Sequence, residues 1–204
     1  DHGSDIFKKI ISELNHKFIN VGIAEQLLFS ACSGFTNAGM IPIAYSLSSL
    51  GVTRGYDQIN LDIGYANKPV LIIGDGIGFT YGQQGYTHHG LDDLALMCSV
   101  PNINIYSPSD KLSMKTCIDN FFINPKPTYI RVGKNSCGEI YSDSLNIDLN
   151  KKIINNNSKN VVISTSSHSA IINNLILEEN FSVDLIDIIN FSPKALSFLD
   201  LSSY

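Results

Sequence analysis

The sequence predicts an α/β protein with a doubly wound parallel sheet, followed by part of a smaller α/β domain. Between residues 4 and 132, segments with helical spacing of apolar residues alternate with short apolar runs typical of strands. This alternation favours right-handed crossovers and parallel strands. The composition agrees, because 44% of the 204 residues are hydrophobic and only 16% are charged, as buried parallel strands require.

Apolar periodicity and turn signals locate the individual elements. Helical spacing predicts helices at 4–14, 23–38, 52–63, 91–99 and 109–122, the last with Ser109 or Asp110 as its N-cap. Short apolar runs predict strands at 18–21, 41–45, 70–74, 103–106 and 128–132, with a glycine-rich loop at 75–90. Ligands of such sheets bind beyond the carboxyl ends of the strands, where the motifs described below all lie.

The composition changes after residue 133 and divides the chain. Residues 1–133 form the sheet unit, and the polar, turn-rich residues 134–150 are predicted to be a linker. Residues 151–204 contain a strand at 161–165, a helix at 169–179 and a strand at 183–189, so we expect them to form half of a smaller α/β domain. Because no Met precedes Asp1, we also expect a fragment or a trimmed chain.

Charge and cysteine content argue against several classes of partner. The net charge is −5, without a basic cluster, so neither nucleic acid nor an anionic membrane is expected as a partner. No apolar run approaches the ~20 residues that span a bilayer, and no signal-peptide pattern opens the chain. The four cysteines form no Cys-X-X-Cys pair, so neither a disulfide framework nor a zinc site is expected. The cytoplasm is the expected location.

The most informative motif is the run Phe18-Ile-Asn-Val-Gly-Ile-Ala-Glu25-Gln26. A carboxylate among apolar side chains is usually paired or used in chemistry. The alternative explanation is a helix start, where an acidic residue in the first turn gains from the helix dipole. On these residues alone the helix start is the more common explanation, and its weakness is that apolar neighbours crowd the carboxylate of Glu25.

A second motif, Gly82-Gln-Gln-Gly85-Tyr-Thr87-His88-His89-Gly90, lies in the glycine-rich loop. Glycines let a loop approach a ligand closely, and histidines offer acid–base groups near neutral pH. Because His88 and His89 are adjacent, at most one should face a site, and a metal-binding pair is not expected. The alternative is a surface loop that leads into a capped helix.

Two further segments complete the candidates. Arg131 ends a predicted strand, where its guanidinium would either clamp a phosphate or form a salt bridge at the rim, and the residues alone do not decide between these. Gly74-Asp75-Gly76, with Asn102 downstream, is similar to a motif that binds magnesium and a diphosphate. That motif needs a helix directly after the glycines, whereas a loop is predicted here, so we interpret the similarity as coincidental.

Taken together, these residues resemble the pyrimidine-binding domain of the transketolase family. Residues 18–26 match its most specific signature, and residues 51–60, 85–90, 95–97 and 101–102 follow in the family's order and spacing. Residues 161–200 resemble the start of the family's C-terminal domain, so the resemblance covers nearly the whole chain. The most similar pattern is the split form, in which a short C-terminal subunit pairs with a separate diphosphate-binding subunit.

The resemblance implies a site for thiamine diphosphate. Glu25 would be catalytic and cofactor-binding, because it would hydrogen-bond N1′ of the aminopyrimidine and so activate the cofactor. His88 matches a family histidine near the reacting end of the donor, which implies catalytic and substrate-binding roles. Arg131 matches a family arginine that grips a sugar phosphate.

Four positions depart from the family pattern, and one of them is Gly76, which stands at the upstream histidine of the family's His-Asp-Ser motif. Gln84 stands where many transketolases have an aspartate that contacts a donor hydroxyl, so it is a candidate substrate-binding residue. Leu47 and Leu50 stand at two aromatic positions beside the pyrimidine, where aliphatic contact would replace ring stacking. These departures argue against ordinary pentose-phosphate substrates.

The predicted function is that of a subunit of a thiamine-diphosphate-dependent, transketolase-like enzyme that transfers a two-carbon ketol unit between sugar phosphates or specialised sugars. The diphosphate and Mg²⁺ would be held mainly by a diphosphate-binding partner subunit of the N-terminal type, in a heterotetramer or dimer of dimers. This chain is expected to contribute no metal ligand. A deoxyxylulose-phosphate synthase-like or 2-oxoacid dehydrogenase β-type subunit, and a non-catalytic regulatory subunit, remain as alternatives.

Overall fold

The computed structural model describes residues 6–134, 138–142, 150–197, 199, 201–202 and 204. The helices are α1 (Ile6–Leu14), α2 (Glu25–Asn37), α3 (Ser48–Arg54), α4 (Tyr56–Gln58), α5 (Asp93–Cys98), α6 (Lys111–Ile123), α7 (His168–Glu178) and α8 (Pro193–Ser197). The strands are β1 (Ile43–Leu47), β2 (Leu71–Asp75), β3 (Asn104–Tyr106), β4 (Thr128–Val132), β5 (Lys151–Ile154), β6 (Val161–Ser164) and β7 (Asp184–Asp187).

The first unit is built on a four-stranded parallel sheet with the strand order β1-β2-β4-β3. Its register pairs Leu47 with Asp75 and Asp75 with Val132, so the carboxyl ends of three strands meet along one edge. The parallel sheet with helices on both faces confirms the predicted fold class.

Alternate residues of the strands point to opposite faces of the sheet and separate two cores. On one face, Ile72 and Tyr129 lie in a cluster with Phe29 of α2 and Met97 of α5. On the other face, the neighbouring residues Leu71 and Ile130 pack with residues of α6. A near-continuous apolar run in β2 is therefore required, because both of its faces are buried.

The predicted strand at 18–21 is wrong. Residues 18–21 form no strand, and the side chain of Asn20 instead accepts a hydrogen bond of 2.8 Å from the backbone N–H of Gly22. Gly22 has a φ of +73°, a left-handed conformation that glycine adopts at little cost. This turn leads the chain directly into α2.

The helical pattern at 52–63 proves to be three consecutive segments. A break at Gly55 separates α3 from α4, and residues Ile59–Tyr65 continue as a π-helix. Gly55 lies against the ring of Phe29, where an added Cβ would be 2.4 Å from the ring. Close packing of α2 on this region therefore explains the glycine at the break.

The second unit contains a three-stranded sheet with the order β5-β7-β6. The sequence predicts β6, α7 and β7, but it misses β5, which pairs with β7 in antiparallel orientation. The chain after β7 runs along the edge strand β3, where Ser107 N–H donates to the Ile189 carbonyl over 2.8 Å and Phe191 N–H donates to the Ile105 carbonyl over 2.9 Å. The division at residue 133 and the linker at 134–150 stay predictions, since residues 135–137 and 143–149 lie outside the described residues.

Two buried carboxylates attach segment 138–142 to this framework. Asp110 caps α6 by accepting the Ser113 backbone N–H over 2.8 Å, and its other oxygen accepts the N–H groups of Ile140 and Tyr141, each over 2.9 Å. Burial alone would raise the pKa of Asp110, but these hydrogen bonds outweigh it and the pKa is lowered.

Asp187 of β7 is fully buried and accepts three hydroxyl groups. They belong to Ser109, Ser169 and Tyr141, at 2.6–2.8 Å. Burial raises the pKa of Asp187 although the hydroxyl donors act in the opposite direction. Through these hydrogen bonds, the side chain links β7 of the second unit to Ser109 of the first.

Within the described part of the chain, no helix is both long and apolar enough to cross a membrane.

Candidate functional site

A cavity of about 690 Å³ lies beside the edge strand β1 and is lined by residues of β1, of segment 17–25 and of the loop that follows β2. This volume lies within the range of ~300–1,000 Å³ that is usual for small-molecule sites. Five of the six residues predicted for the site line this cavity: Glu25, Leu47, Leu50, Gln84 and His88. They come from three separate parts of the sequence, so the fold brings them together.

Glu25 is the first residue of α2 and lies on the cavity wall. Its side chain is 15% exposed, and its Oε1 atom is 3.4 Å from a guanidinium nitrogen of Arg54, itself about half exposed. The Gly22 turn directs the chain so that the carboxylate at the helix start faces the cavity. A carboxylate in this position gains from the helix dipole, and the functional role of Glu25 stays a prediction.

The aliphatic part of the wall includes Leu28, Leu47 and Leu50. Leu47 ends β1, and Leu50 lies in the first turn of α3. They therefore present apolar surface on the same cavity wall as Glu25. This surface can contact one flat face of a heterocycle, although it cannot stack on the ring as an aromatic side chain would.

The two histidines of the loop occupy different environments. His88 lines the cavity, and its Nδ1 atom lies 3.0 Å from the hydroxyl oxygen of Thr87. His89 does not line the cavity, because its Nε2 atom contacts the Gly82 carbonyl oxygen at 3.1 Å and its ring packs on Phe79. Only His88 is therefore positioned to act on a molecule in the cavity.

Arg131 lies outside this cavity, in contrast to the role that the resemblance implies for it. The residue is 8% exposed, and its guanidinium makes two hydrogen bonds to Asp93, from Nε over 2.8 Å and from a terminal nitrogen over 3.0 Å. The hydroxyl of Tyr129 donates to the same carboxylate over 2.8 Å. This arrangement favours a structural ion pair, buried and not at the rim, over a phosphate clamp.

Two tyrosines at the cavity, and the carboxylate that holds them, were not predicted as site residues. Asp75, at the end of β2, accepts hydrogen bonds on one oxygen from the hydroxyls of Tyr45 and Tyr81, over 2.9 and 2.8 Å. Burial, with the hydrogen bond to Asp75, raises the pKa of Tyr81 to about 12 and also raises the pKa of Tyr45. The only sequence signal was the Gly74-Asp75-Gly76 segment, which continues as a loop in the structure and not as a helix.

The parallel α/β fold and a cavity that carries a carboxylate are compatible with a small-molecule-binding protein, and comparison with known families identifies the family. Residues 2–139 match the family described as "Transketolase, pyrimidine binding domain". The chain therefore belongs to this family.

Two curated relatives illustrate the range within the family. The chain is 32% identical over 133 residues to one subunit of an apulose-4-phosphate transketolase of Actinobacillus succinogenes, covering 65% of this chain and 43% of the relative. It is 36% identical over 146 residues to a 1-deoxy-D-xylulose-5-phosphate synthase of Halothermothrix orenii, covering 72% of this chain and 22% of the relative. The chain thus spans less than half the length of these relatives.

A solved structure shows the same fold. The protein described as "Split gene transketolase, inactive beta4 tetramer" superposes with a TM-score of 0.77 at 23% identity, covering 93% of this chain and 63% of that one. The superposition extends beyond the pyrimidine-binding domain into the second unit of this chain.

Proposed function

We propose that this chain is a subunit of a thiamine-diphosphate-dependent, transketolase-like enzyme that transfers a two-carbon ketol unit between sugars. The observation that carries this proposal is the one cavity that collects Glu25, Leu47, Leu50, Gln84 and His88. The similarity to a transketolase subunit named for apulose 4-phosphate further supports a specialised sugar as substrate.

The donor set of the cavity fits the aminopyrimidine of thiamine diphosphate. A carboxylate from Glu25 adjoins aliphatic surface from Leu47 and Leu50, which suits a flat ring that carries one basic nitrogen. When bound, thiamine diphosphate supplies the nucleophilic carbon on which a two-carbon unit can be carried. Glu25 and the two leucines are therefore the residues that would hold this part of the cofactor.

Each polar residue of the cavity has a distinct task in this proposal. Glu25 would hold the proton that it shares with N1′ of the aminopyrimidine, and its low exposure would strengthen that hydrogen bond. His88, oriented by Thr87, would donate or accept a proton at an oxygen of the donor sugar. Gln84 would supply a neutral amide for hydrogen bonds to a sugar hydroxyl.

The diphosphate and Mg²⁺ would come to the site on a partner subunit that carries the diphosphate-binding domain. Within this chain, the carboxylate of Gly74-Asp75-Gly76 is already engaged by two tyrosine hydroxyls, and a loop follows it. The complete site would then form only between the two kinds of subunit, in a heterotetramer or dimer of dimers.

A deoxyxylulose-phosphate synthase-like activity is the second candidate. It is supported by the 36% identity over 146 residues to a synthase of this type. The transketolase-like and synthase-like activities differ in their donor substrate. A ketol donor carries a hydroxyl on the two-carbon unit that is transferred, and an acyl donor does not.

Calorimetry with thiamine diphosphate and Mg²⁺ tests the half-site proposal. The isolated chain should show weak, magnesium-independent binding, and its mixture with the diphosphate-binding subunit should show tight, magnesium-dependent binding. Tight binding by the isolated chain would contradict the proposal. A parallel titration of the Asp75→Asn chain would then show whether Gly74-Asp75-Gly76 is responsible.

A further inference from the structure

Arg54 contacts the carboxylate that has the central role in the proposed function. It is the last residue of α3, and a terminal nitrogen of its guanidinium lies 3.4 Å from Oε1 of Glu25, the first residue of α2. Within the described part of the chain, the second carboxylate oxygen, Oε2, has no hydrogen-bond partner. Arg54 therefore engages one oxygen of Glu25 and leaves the other unengaged, in a side chain that lines the cavity.

Close packing between α2 and α3 sets the position of Arg54. Phe29 lies one helical turn after Glu25, on the same face of α2, and is fully buried. A Cβ on Gly55 would lie 2.4 Å from the ring of Phe29, and a Cβ on Gly51 would lie 3.7 Å from it. Because these two glycines belong to the last turn of α3 and the break after it, the packing holds the end of α3 against the start of α2.

A salt bridge that only stabilises the fold is the alternative explanation of this contact. The Arg54 side chain is 52% exposed, and a pair with such an exposed member contributes little to stability. The contact also joins a single nitrogen to a single oxygen, in contrast to the two hydrogen bonds between Arg131 and Asp93. Its main effect is therefore on the orientation and charge of Glu25.

The guanidinium influences how Glu25 would share a proton with a ligand. A positive charge beside a carboxylate favours the ionised form of the carboxylate. With Arg54 in place, a proton shared between Glu25 and a ring nitrogen would therefore stay on the ring nitrogen. The N-terminus of α2 acts in the same direction, because the helix dipole favours a negative charge there.

We propose that Arg54 is a positioning residue, which holds Oε1 of Glu25 so that Oε2 binds N1′ of the aminopyrimidine and the shared proton stays at N1′. This inference rests on the proposed function and refines it. Arg54 does not line the cavity, so it would act on the cofactor only through Glu25.

The test measures how fast the hydrogen at C2 of thiamine diphosphate exchanges with deuterium in the complex reconstituted with the diphosphate-binding subunit. NMR after acid quenching follows this exchange without any sugar present, so the rate reports activation of the cofactor and not substrate binding. Arg54→Gln should slow the exchange roughly tenfold, the low end for a lost charge-assisted hydrogen bond. Arg54→Lys should recover most of the rate, because the contact is single and a point charge can replace it.

Lys68→Gln is the matched control. Lys68 donates to the side chain of Asn37, the last residue of α2, over 2.6 Å, so it contacts the opposite end of the same helix. Lys68→Gln should leave the exchange rate unchanged. Arg54→Gln should keep the Tm of the isolated chain and should still assemble with the partner subunit in sedimentation. A clear loss of either would assign the contact to folding or assembly and overturn the proposal.

A double substitution tests whether Arg54 acts through Glu25. In a Glu25→Gln complex, the addition of Arg54→Gln should slow the exchange no further. Equal slowing in both backgrounds, or an Arg54→Gln rate that equals the wild-type rate, would overturn the role of Arg54 and leave the proposed function intact. A wild-type complex that does not bind thiamine diphosphate, or a Glu25→Gln complex that exchanges at the wild-type rate, would overturn the proposed function and this inference with it.

Discussion

Arg131 and Asp93 form a two-point ion pair, with nitrogen–oxygen distances of 2.8 and 3.0 Å, inside the protein. Arg131 comes from β4 and Asp93 begins α5, the helix that follows the glycine-rich loop of the site. The hydroxyl of Tyr129 donates a hydrogen bond to the same carboxylate, so Asp93 accepts hydrogen bonds from both Arg131 and Tyr129. The pair therefore anchors the end of the loop that carries His88 to the sheet.

Removal of one member of this pair should destabilise the fold. Arg131→Ala leaves the Asp93 carboxylate buried without its cation, and we expect the free energy of unfolding to fall by about 3–5 kcal/mol. Urea denaturation measures this change. Lys115→Ala removes an exposed ion pair with Asp119 and should cost less than about 0.5 kcal/mol.

A stable Arg131→Ala chain whose complex has a raised KM only for phosphorylated sugars would contradict the structural role of Arg131. It would support the phosphate clamp that the family resemblance implies.

The pKa of Asp187 predicts a pH dependence of stability. Because burial raises this pKa in the folded chain, the folded state binds the proton more tightly than the unfolded state. The stability of the wild type relative to Asp187→Asn should therefore rise as the pH falls from neutral through the raised pKa, and level off below the ordinary aspartate value of about 3.9. Urea denaturation of both chains across this range measures the difference, and a difference that shrinks towards acid would contradict the assignment.

Gly90 closes the site loop where a side chain does not fit. An added Cβ would lie 2.1 Å from the Ser48 hydroxyl and 2.8 Å from the Gly76 carbonyl oxygen. Gly90→Ala should lower the free energy of unfolding by about 1–3 kcal/mol, because the backbone must shift. Thermal unfolding of the chain measures this, with Gly82→Ala as the control in the same loop, since a Cβ at Gly82 meets nothing within 4 Å. Equal effects of the two substitutions would show that packing at Gly90 is not the cause.

The parts of the fold that local sequence determines could be predicted well. The predicted and observed bounds of β4 are the same, because four of its five residues are β-branched or aromatic, the types that favour strands. Of the two N-cap candidates for α6, Asp110 is the one that caps, through a box with Ser113.

Features that depend on partners distant in sequence could not be predicted. β5 exists because it pairs with β7, about 33 residues later, and its own pattern is too short to indicate a strand. Asp93 engages Arg131 from 38 residues away, and nothing local indicates that this arginine is already paired. The cluster of Tyr45, Asp75 and Tyr81 likewise forms only when β1, β2 and the loop meet.

The central claim is that Glu25 supplies the carboxylate that activates thiamine diphosphate in the assembled enzyme. The most direct measurement is the turnover of the reconstituted complex with Glu25→Gln, which keeps the shape of the side chain but cannot share a proton with N1′ in the same way. We predict a fold that survives, as judged by thermal unfolding, and a fall in kcat of roughly 10²-fold or more, the scale of lost general acid–base catalysis. Glu13→Gln, which changes an exposed glutamate of α1 that pairs with Lys9, should keep full activity. Near-normal turnover of the Glu25→Gln complex would contradict the claim.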